Sequence, residues 1–193
     1  YFPWHCTFLN DANAGAFAEG IGSDLPSSFF YLSLSNTVGG AIFHDGNLLP
    51  GDTFRCGEAG HMTLIPDGKP CYCGKTGCVD AYCSARLLSD LSGGRLEDFF
   101  LGLQQNNPDY RSVWDTYLKH LAVVINNLHM LLDYDIVLGG YVGSFLTPWL
   151  DTIRHLVAER NTFEDDGSFV KLCTYQTGAA AYGAAMDVME EFL

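Results

Sequence analysis

Positive charge is the scarcest property of this sequence. Its 193 residues include 10 Lys and Arg against 23 Asp and Glu, which gives a formal net charge of −13. Contact with nucleic acid needs clustered Lys and Arg to neutralise phosphates, and anionic membrane surfaces attract the same side chains. We therefore expect this segment to make no direct contact with nucleic acid and none with a membrane.

The sequence also lacks an apolar run of membrane-spanning length, a signal-peptide pattern, an internal repeat and a low-complexity segment. With 48% hydrophobic residues it has the composition of a folded protein with a sizeable core. We expect one α/β unit over residues 1–193. Because the chain opens with Tyr1 and not with methionine, we also expect it to be part of a longer protein.

Cysteine is present in an odd number, seven, and three of the seven lie within eight residues. Cys71, Cys73 and Cys78 follow His61 closely, and three thiols with one imidazole form the complete ligand set of a tetrahedral structural zinc site. A disulfide scaffold would be shorter and richer in cysteine, so the pattern favours a reducing, cytoplasmic location. Cys56 stands outside this group, and the sequence leaves open whether it packs in the core or borders a site.

Carboxylates frame the cysteine-rich stretch. Glu58 lies between glycine and alanine, and Asp80 follows the last cysteine of the group, so neither is an obvious core residue. The stretch therefore predicts a zinc-pinned loop that presents acidic groups to a polar ligand. Earlier in the chain, Asn10 and Asp11 precede an alanine-rich helix, where a side-chain oxygen is often only an N-cap. That alternative stays open from the local sequence.

Apolar patterning predicts alternating strands and helices. The strands are expected over 6–9, 27–35, 41–44, 47–49, 62–65, 135–140 and 168–174. The helices are expected over 14–19, 79–88, 96–105, 110–132, 145–159 and from Gly178 onward. In the longest helix a buried face is expected, made of Val113, Tyr117, Leu121, Val124, Leu128 and Leu131.

Two glycine-containing segments follow predicted strands. The turn that contains Asn36, Thr37, Gly39 and Gly40 is either ordinary hairpin chemistry or a nest of backbone N–H groups for phosphate. The pair Gly139–Gly140 ends a short apolar strand before a helix. That order is typical of parallel α/β proteins, which bind ligands beyond the carboxyl ends of their strands.

Three motifs taken in order resemble the carboxyl-terminal lobe of the ROK family of bacterial sugar kinases and sugar-responsive repressors. They are Asn10-Asp11-Ala12-Asn13-Ala14, Gly57-Glu58-Ala59-Gly60-His61 and Cys71-Tyr72-Cys73-Gly74-Lys75-Thr76-Gly77-Cys78. The resemblance covers nearly the whole chain. It implies an α/β lobe of the ribonuclease-H-like fold (actin-like ATPase, ASKHA), with a zinc-stabilised loop and with an amino-terminal lobe that this chain does not contain.

The resemblance also implies residue roles. Asp11 matches the catalytic base that accepts the proton of the attacking sugar hydroxyl, and Asn10, Glu58, His61 and Asp80 match groups that bind the sugar. The zinc ligands would be His61, Cys71, Cys73 and Cys78. The nucleotide, ATP with Mg²⁺, would contact the phosphate-loop and second glycine segments: Asn36, Thr37, Gly39, Gly40, Gly139 and Gly140.

Two departures from the family pattern affect the expected function. Asp80 replaces a longer Glu, and the phosphate loop Ser35-Asn36-Thr37-Val38-Gly39-Gly40 loses early glycines, which hinders close approach by a triphosphate. We therefore carry two hypotheses: a lobe of an ATP-dependent sugar kinase, and the sugar sensor of a transcriptional regulator whose DNA-binding domain precedes this segment. A zinc-stabilised interaction module is a third. Family resemblance also implies a homo-oligomer, most simply a dimer.

Overall fold

The computed structural model describes residues 6 and 8–190 and centres on one mixed sheet. Its five strands have the order β3-β2-β1-β4-β5; β1 is antiparallel to β2 and parallel to β4, which is parallel to β5. The strands are β1 Phe29–Leu34, β2 Val38–His44, β3 Asn47–Leu48, β4 Asp135–Gly139 and β5 Val170–Leu172. The helices are α1 Asp11–Gly22, α2 Asp80–Cys83, α3 Ala85–Ser89, α4 Leu96–Gln104, α5 Pro108–Leu132, α6 Gly140–Gly143, α7 Leu150–Ala158 and α8 Ala179–Glu190.

Helices cover both faces of the sheet, which explains why the central strand β1 is buried along its whole length and apolar at every residue except Ser33. One face packs on α1 and α8, and the other packs on the larger cluster that includes α4, α5 and α7. Small residues bring α1 and α8 together: a Cβ added at Gly183 would lie 1.7 Å from the Ala14 carbonyl oxygen. The sheet and its two helical layers confirm the expected α/β architecture.

The long helix α5 confirms most of the predicted buried face. Tyr117, Leu121, Val124 and Leu128 are buried, but Leu131 is 75% exposed, so its inclusion was wrong. The helix begins at Pro108, two residues before the predicted start, because the Asn107 side chain caps it by accepting the N–H groups of Asp109 and Tyr110.

Several predicted boundaries need correction. No strand forms at Phe8–Leu9, and Thr7 lies outside the described residues. The segment 62–65 forms no continuous strand: Thr63 makes one isolated antiparallel bridge with Cys78, and the N–H groups of Leu64 and Ile65 then both donate to the Gly77 carbonyl, which ends the pairing. The helix predicted over 79–88 breaks at Ser84, because the next N–H, that of Ala85, donates to the Ser35 carbonyl at the end of β1.

The glycine-containing hairpin turn is shorter than predicted, and the second strand begins at Val38 and not at residue 41. Leu34 pairs with Val38 and Ser33 with Gly39, so Gly39 and Gly40 are strand residues. The turn proper contains Asn36 and Thr37. The helix predicted over 145–159 is also shorter, since Pro148 lies in a separate 3-10 turn before α7 begins at Leu150.

Among the described residues, no helix combines the length and the hydropathy needed to cross a bilayer.

Candidate functional site

Asn10 and Asp11, at the start of α1, have different roles. The Asn10 side-chain oxygen accepts the N–H groups of Ala12 at 2.9 Å and Asn13 at 3.3 Å, so Asn10 is the N-cap. Asp11 is exposed and contributes Oδ1 only to the adjacent N–H of Ala12. Because the cap is already supplied by Asn10, the Asp11 carboxylate remains available for a ligand, at the helix end that favours negative charge.

The Glu58 turn, Gly57–His61, packs directly on strand β2. A Cβ added at Gly60 would lie 2.0 Å from the Val38 carbonyl oxygen, and one at Gly57 would lie 2.5 Å from that of Gly40. Gly57 also has φ +86°, a conformation that side chains with a Cβ rarely adopt. Both glycines are therefore required by the close approach of the turn to β2, which fixes the position of Glu58.

This packing places Glu58 beside the start of α1. The two form a small cavity of about 40 Å³, which we call the Glu58 cavity. Its walls are Asn10, Asn13, Gly39, Gly40, Phe54, Cys56 and Glu58. The structure thus brings Asn10 and Glu58 together from residues almost fifty positions apart, and it places Cys56 at this cavity.

A second cavity, the Asp11 cavity, holds about 120 Å³ and lies at the carboxyl ends of β1 and β4. It is lined by Asp11, Tyr31, Ser33, Ser35, Gly140, Tyr141, Gln176, Thr177, Ala179 and Ala180. Gly140 has φ +76°, and a Cβ there would lie 2.7 Å from the Leu34 nitrogen, so glycine is needed where the backbone leaves β4. The hydroxyls of Ser33 and Ser35 lie 3.3 Å apart, and both residues line this cavity.

Glu19 links α1, the helix that carries Asp11, to residues 173–175, which directly precede Gln176 in the lining of the Asp11 cavity. It is fully buried, and its Oε1 accepts the Tyr175 N–H at 2.9 Å and the Cys173 thiol at 3.0 Å. Burial first, and then the bond to Glu19, raises the pKa of the Cys173 thiol to about 12, so it stays a hydrogen-bond donor. Nothing in the local sequence marks this buried carboxylate, since a glutamate in a helix is ordinarily a surface residue.

The cysteine-rich hairpin gathers the four predicted zinc ligands. One ligand atom from each of His61, Cys71, Cys73 and Cys78 lies within 4.8 Å of the others. The Sγ atoms of Cys73 and Cys78 are 3.7 Å apart. Two sulfurs bound tetrahedrally at about 2.3 Å from zinc would be separated by about 3.8 Å, so this spacing fits the metal. The four groups could therefore hold a zinc ion with no position left open.

The thiols of this group differ in their surroundings. The Lys75 backbone N–H lowers the pKa of the exposed Cys73 thiol, and burial raises the pKa of the Cys78 thiol to about 12. His61 has an additional partner that the sequence did not indicate, because the Tyr72 hydroxyl lies 3.2 Å from its Nε2. Only the position of Tyr72 between two cysteines could have marked it.

Asp80 is buried and has a clear structural task. Its Oδ1 accepts the Val38 N–H at 2.7 Å, which ties the residue after the last cysteine to the start of β2. Asp80 lines a third cavity of about 210 Å³, the Asp80 cavity, together with Asn36, Thr37 and Tyr72. Asp80 and the Glu58 turn therefore both contact β2, but Glu58 and Asp80 line different cavities.

The residues predicted to contact a nucleotide are distributed over the three cavities. Gly140 shares the Asp11 cavity, Gly39 and Gly40 line the Glu58 cavity, and Asn36 and Thr37 line the Asp80 cavity. Gly139 ends β4 behind the Tyr31 ring, where an added Cβ would lie 2.2 Å from the Tyr31 hydroxyl oxygen. Gln176 and Thr177 join the Asp11 cavity without having been predicted, since nothing in their local sequence marks them.

A protein-family model and several known proteins match most of this chain. The model of the ROK family matches residues 2–191. An N-acetylmannosamine kinase of Vibrio cholerae is 31% identical over 71% of the chain, and a glucokinase of Halalkalibacterium halodurans is 29% identical over 94%. The matches cover 50% and 63% of those proteins, so the chain spans about half to two thirds of their length.

Solved structures agree with these matches. A ROK hexokinase from Thermus thermophilus superimposes with a TM-score of 0.72 and 24% identity, covering 94% of this chain and 65% of that one. A ROK family transcriptional regulator, described as a homologue of the E. coli MLC protein, also gives 0.72 with 22% identity, covering 91% and 50%. At these identities the likeness shows the fold alone.

Proposed function

Since the chain belongs to the ROK family, we propose that it is the sugar-binding lobe of an ATP-dependent sugar kinase. The reaction would transfer the γ-phosphoryl group of ATP to a hydroxyl of a hexose or an N-acetylhexosamine. One observation carries this proposal: the consecutive residues Asn10 and Asp11 line two different cavities, with Glu58 in one and Gly140 in the other. A base at Asp11 would thus stand between the sugar side and the nucleotide side.

The donor and acceptor chemistry supports a sugar in the Glu58 cavity. Sugar hydroxyls are neutral donors, and hydrogen bonds to a carboxylate are stronger than those between neutral groups. Glu58 would accept from the sugar, and Asn10, whose amide oxygen serves as the cap, would donate through its amide NH₂. Asp11 would take the proton of the hydroxyl that attacks phosphorus, and ATP-bound Mg²⁺ would supply charge stabilisation when present.

We further propose that zinc binds His61, Cys71, Cys73 and Cys78 and has a structural role. All four positions would be filled by the protein, so no water could be activated there. His61 is the third residue after Glu58 and Asp80 is the second after Cys78, so the metal would help to hold both carboxylates in place. The family resemblance also implies that His61 contacts the sugar; His61 lines none of the three cavities, and its Nε2 lies 3.2 Å from the Tyr72 hydroxyl.

Transfer itself would require a second lobe. We propose that residues 1–193 form one carboxyl-terminal lobe, because they span about half of the V. cholerae kinase. The chain alone is then expected to show little or no turnover with ATP and sugar. A homodimer remains part of the proposal on the strength of the family resemblance.

The second candidate function is the sugar sensor of a transcriptional regulator. The distribution of the predicted nucleotide residues favours it, since Gly39 and Gly40 line the Glu58 cavity and only Gly140 lies with Asp11. The shared fold with a ROK regulator agrees with it. With a net charge of −13, this segment would leave DNA contact to another domain.

Calorimetric titration of the zinc-loaded chain with N-acetylmannosamine and with glucose tests sugar binding. Glu58→Gln should weaken binding at least tenfold, because several hydroxyls lose a charged acceptor. Asp11→Asn should change affinity little and, in the complete gene product, abolish phosphorylation. If no sugar binds and Glu58→Gln changes nothing, the proposal fails; if sugar binds but the complete product does not phosphorylate it, the regulator is favoured.

A further inference from the structure

We infer that Phe54 is a sugar-contacting residue, an aromatic platform that covers the apolar face of a monosaccharide seated in the Glu58 cavity. The inference rests on the proposed function and names a contact that the three sequence motifs do not include. It begins from one feature of Phe54: its side chain is 83% exposed although it lines the same cavity as Asn10 and Glu58.

The backbone of Phe54 makes this exposure informative. Phe54 has φ +58°, a left-handed conformation that costs energy for any residue with a Cβ and that glycine adopts freely. An exposed ring gains little burial within the chain to offset that cost. Strained backbone of this kind tends to occur at ligand sites, where the side chain is needed in one place.

The loop that carries Phe54 has a defined position. The Phe54 N–H donates to the Gly51 carbonyl at 3.3 Å and the Cys56 N–H to the Pro50 carbonyl at 3.2 Å, so the loop is closed on itself. Gly57, directly after it, is packed on Gly40 of β2. These contacts fix the backbone of Phe54 at the edge of the cavity, next to the turn that positions Glu58.

The size of the cavity explains what the ring would do. About 40 Å³ accepts a few water-sized groups and not a sugar ring, so Asn10 and Glu58 can receive hydroxyls while the ring of the sugar projects outward. A pyranose has an edge of hydroxyls and a face of C–H groups. The negative face of an aromatic ring attracts such weakly positive C–H groups, and Phe54 is the large apolar side chain at this mouth.

The test measures sugar affinity and thermal stability together for four proteins: the unaltered chain, Phe54→Ala, Phe54→Gly and Phe163→Ala. Phe163 is the matched control, because its side chain is 81% exposed and it lines none of the three cavities. Zinc-loaded protein is titrated with glucose and with N-acetylmannosamine by calorimetry, and unfolding is followed by circular dichroism.

Both substitutions of Phe54 should weaken sugar binding about three- to tenfold, the scale of a single aromatic contact, while Phe163→Ala should leave it unchanged. Phe54→Gly should also keep or raise the thermal midpoint, since glycine removes the left-handed strain. A purely structural residue could not lose affinity while the fold becomes more stable. That combination is therefore the decisive result.

Other outcomes overturn the inference in distinguishable ways. If the unaltered chain binds sugar and Glu58→Gln abolishes binding, but both Phe54 variants bind as tightly as the unaltered chain, this inference fails and the proposed function stands. If Phe54→Ala changes only self-association, measured by analytical ultracentrifugation, the ring contacts protein and the inference fails. If no sugar binds the unaltered chain, the proposed function falls and this inference falls with it.

Discussion

Gly60→Ala tests whether the Glu58 turn is held on strand β2 by close backbone contact. The added Cβ would stand 2.0 Å from the Val38 carbonyl oxygen and 3.0 Å from the Val38 carbonyl carbon, whereas real Cβ atoms essentially never come closer than 3.0 Å. The turn must therefore move away from β2 by about 1 Å. The obstacle is backbone in a paired strand, which cannot rotate aside as a side chain could.

The expected loss of stability follows from that displacement. Overpacking a close contact typically costs about 1–3 kcal/mol, and in a domain of this size each kcal/mol lowers the thermal midpoint by about 2–4 °C. We expect a drop of about 2–12 °C by circular dichroism. Sugar affinity should fall as well, since a carboxylate displaced by about an ångström no longer meets hydroxyls at hydrogen-bond distance.

Gly178→Ala is the matched control, because an alanine Cβ there would meet open space and the backbone has no positive φ. Its midpoint should stay the same or rise slightly. If Gly60→Ala unfolds at the same temperature as Gly178→Ala and binds sugar normally, the turn is not fixed by β2 and the explanation of the Gly57–His61 motif is wrong.

Three further predictions concern the cap, the metal and pH. Asn10→Ala and Asn107→Ala should each lower the free energy of unfolding in urea by about 1 kcal/mol, since both side chains cap a helix in the same way. Only Asn10→Ala should weaken sugar binding, and equal sugar affinities of the two variants would show that Asn10 does not contact the sugar. Chelation of zinc should lower the thermal midpoint and the sugar affinity together, and Cys73→Ser should reproduce both effects, whereas the control Cys56→Ser should leave the midpoint nearly unchanged. If elemental analysis finds no zinc in freshly reduced protein, the metal assignment is wrong. Burial, with a smaller contribution from Lys69, lowers the pKa of His120 below its usual 6.5. As the pH falls, the unfolded chain therefore binds this proton before the folded chain does, so the free energy of unfolding should decrease as the pH drops through 6.5. His120→Gln should reduce this decrease when urea unfolding is compared at pH 7.5 and 5.5.

The clustering of the four candidate metal ligands could be predicted from sequence because these residues are close along the chain. Cys71, Cys73 and Cys78 lie in one hairpin, and His61 precedes them by ten residues. Ligand type and spacing then carry most of the information, and tertiary structure adds little. The α/β alternation was predictable for the same reason, since apolar periodicity is a local signal.

The three cavities depend on contacts between residues that are far apart in the sequence. In the sequence Asp80 looks like a free carboxylate, yet it accepts a hydrogen bond from the N–H of Val38, which lies 42 positions earlier. The predicted helix breaks at Ser84 because the Ala85 N–H donates to the carbonyl of Ser35, which directly follows β1. Phe54 is conspicuous only once its exposure and its positive φ are known.

We propose that a monosaccharide binds where Asn10, Glu58 and Phe54 line one cavity. The most direct measurement is a heteronuclear NMR titration of the zinc-loaded chain with glucose and with N-acetylmannosamine. We expect the amide signals that shift to cluster at 10–13, 39–40 and 54–58, and we expect Glu58→Gln to reduce these shifts strongly at the same sugar concentration. Shifts confined to other parts of the chain, or none at millimolar sugar, would contradict it.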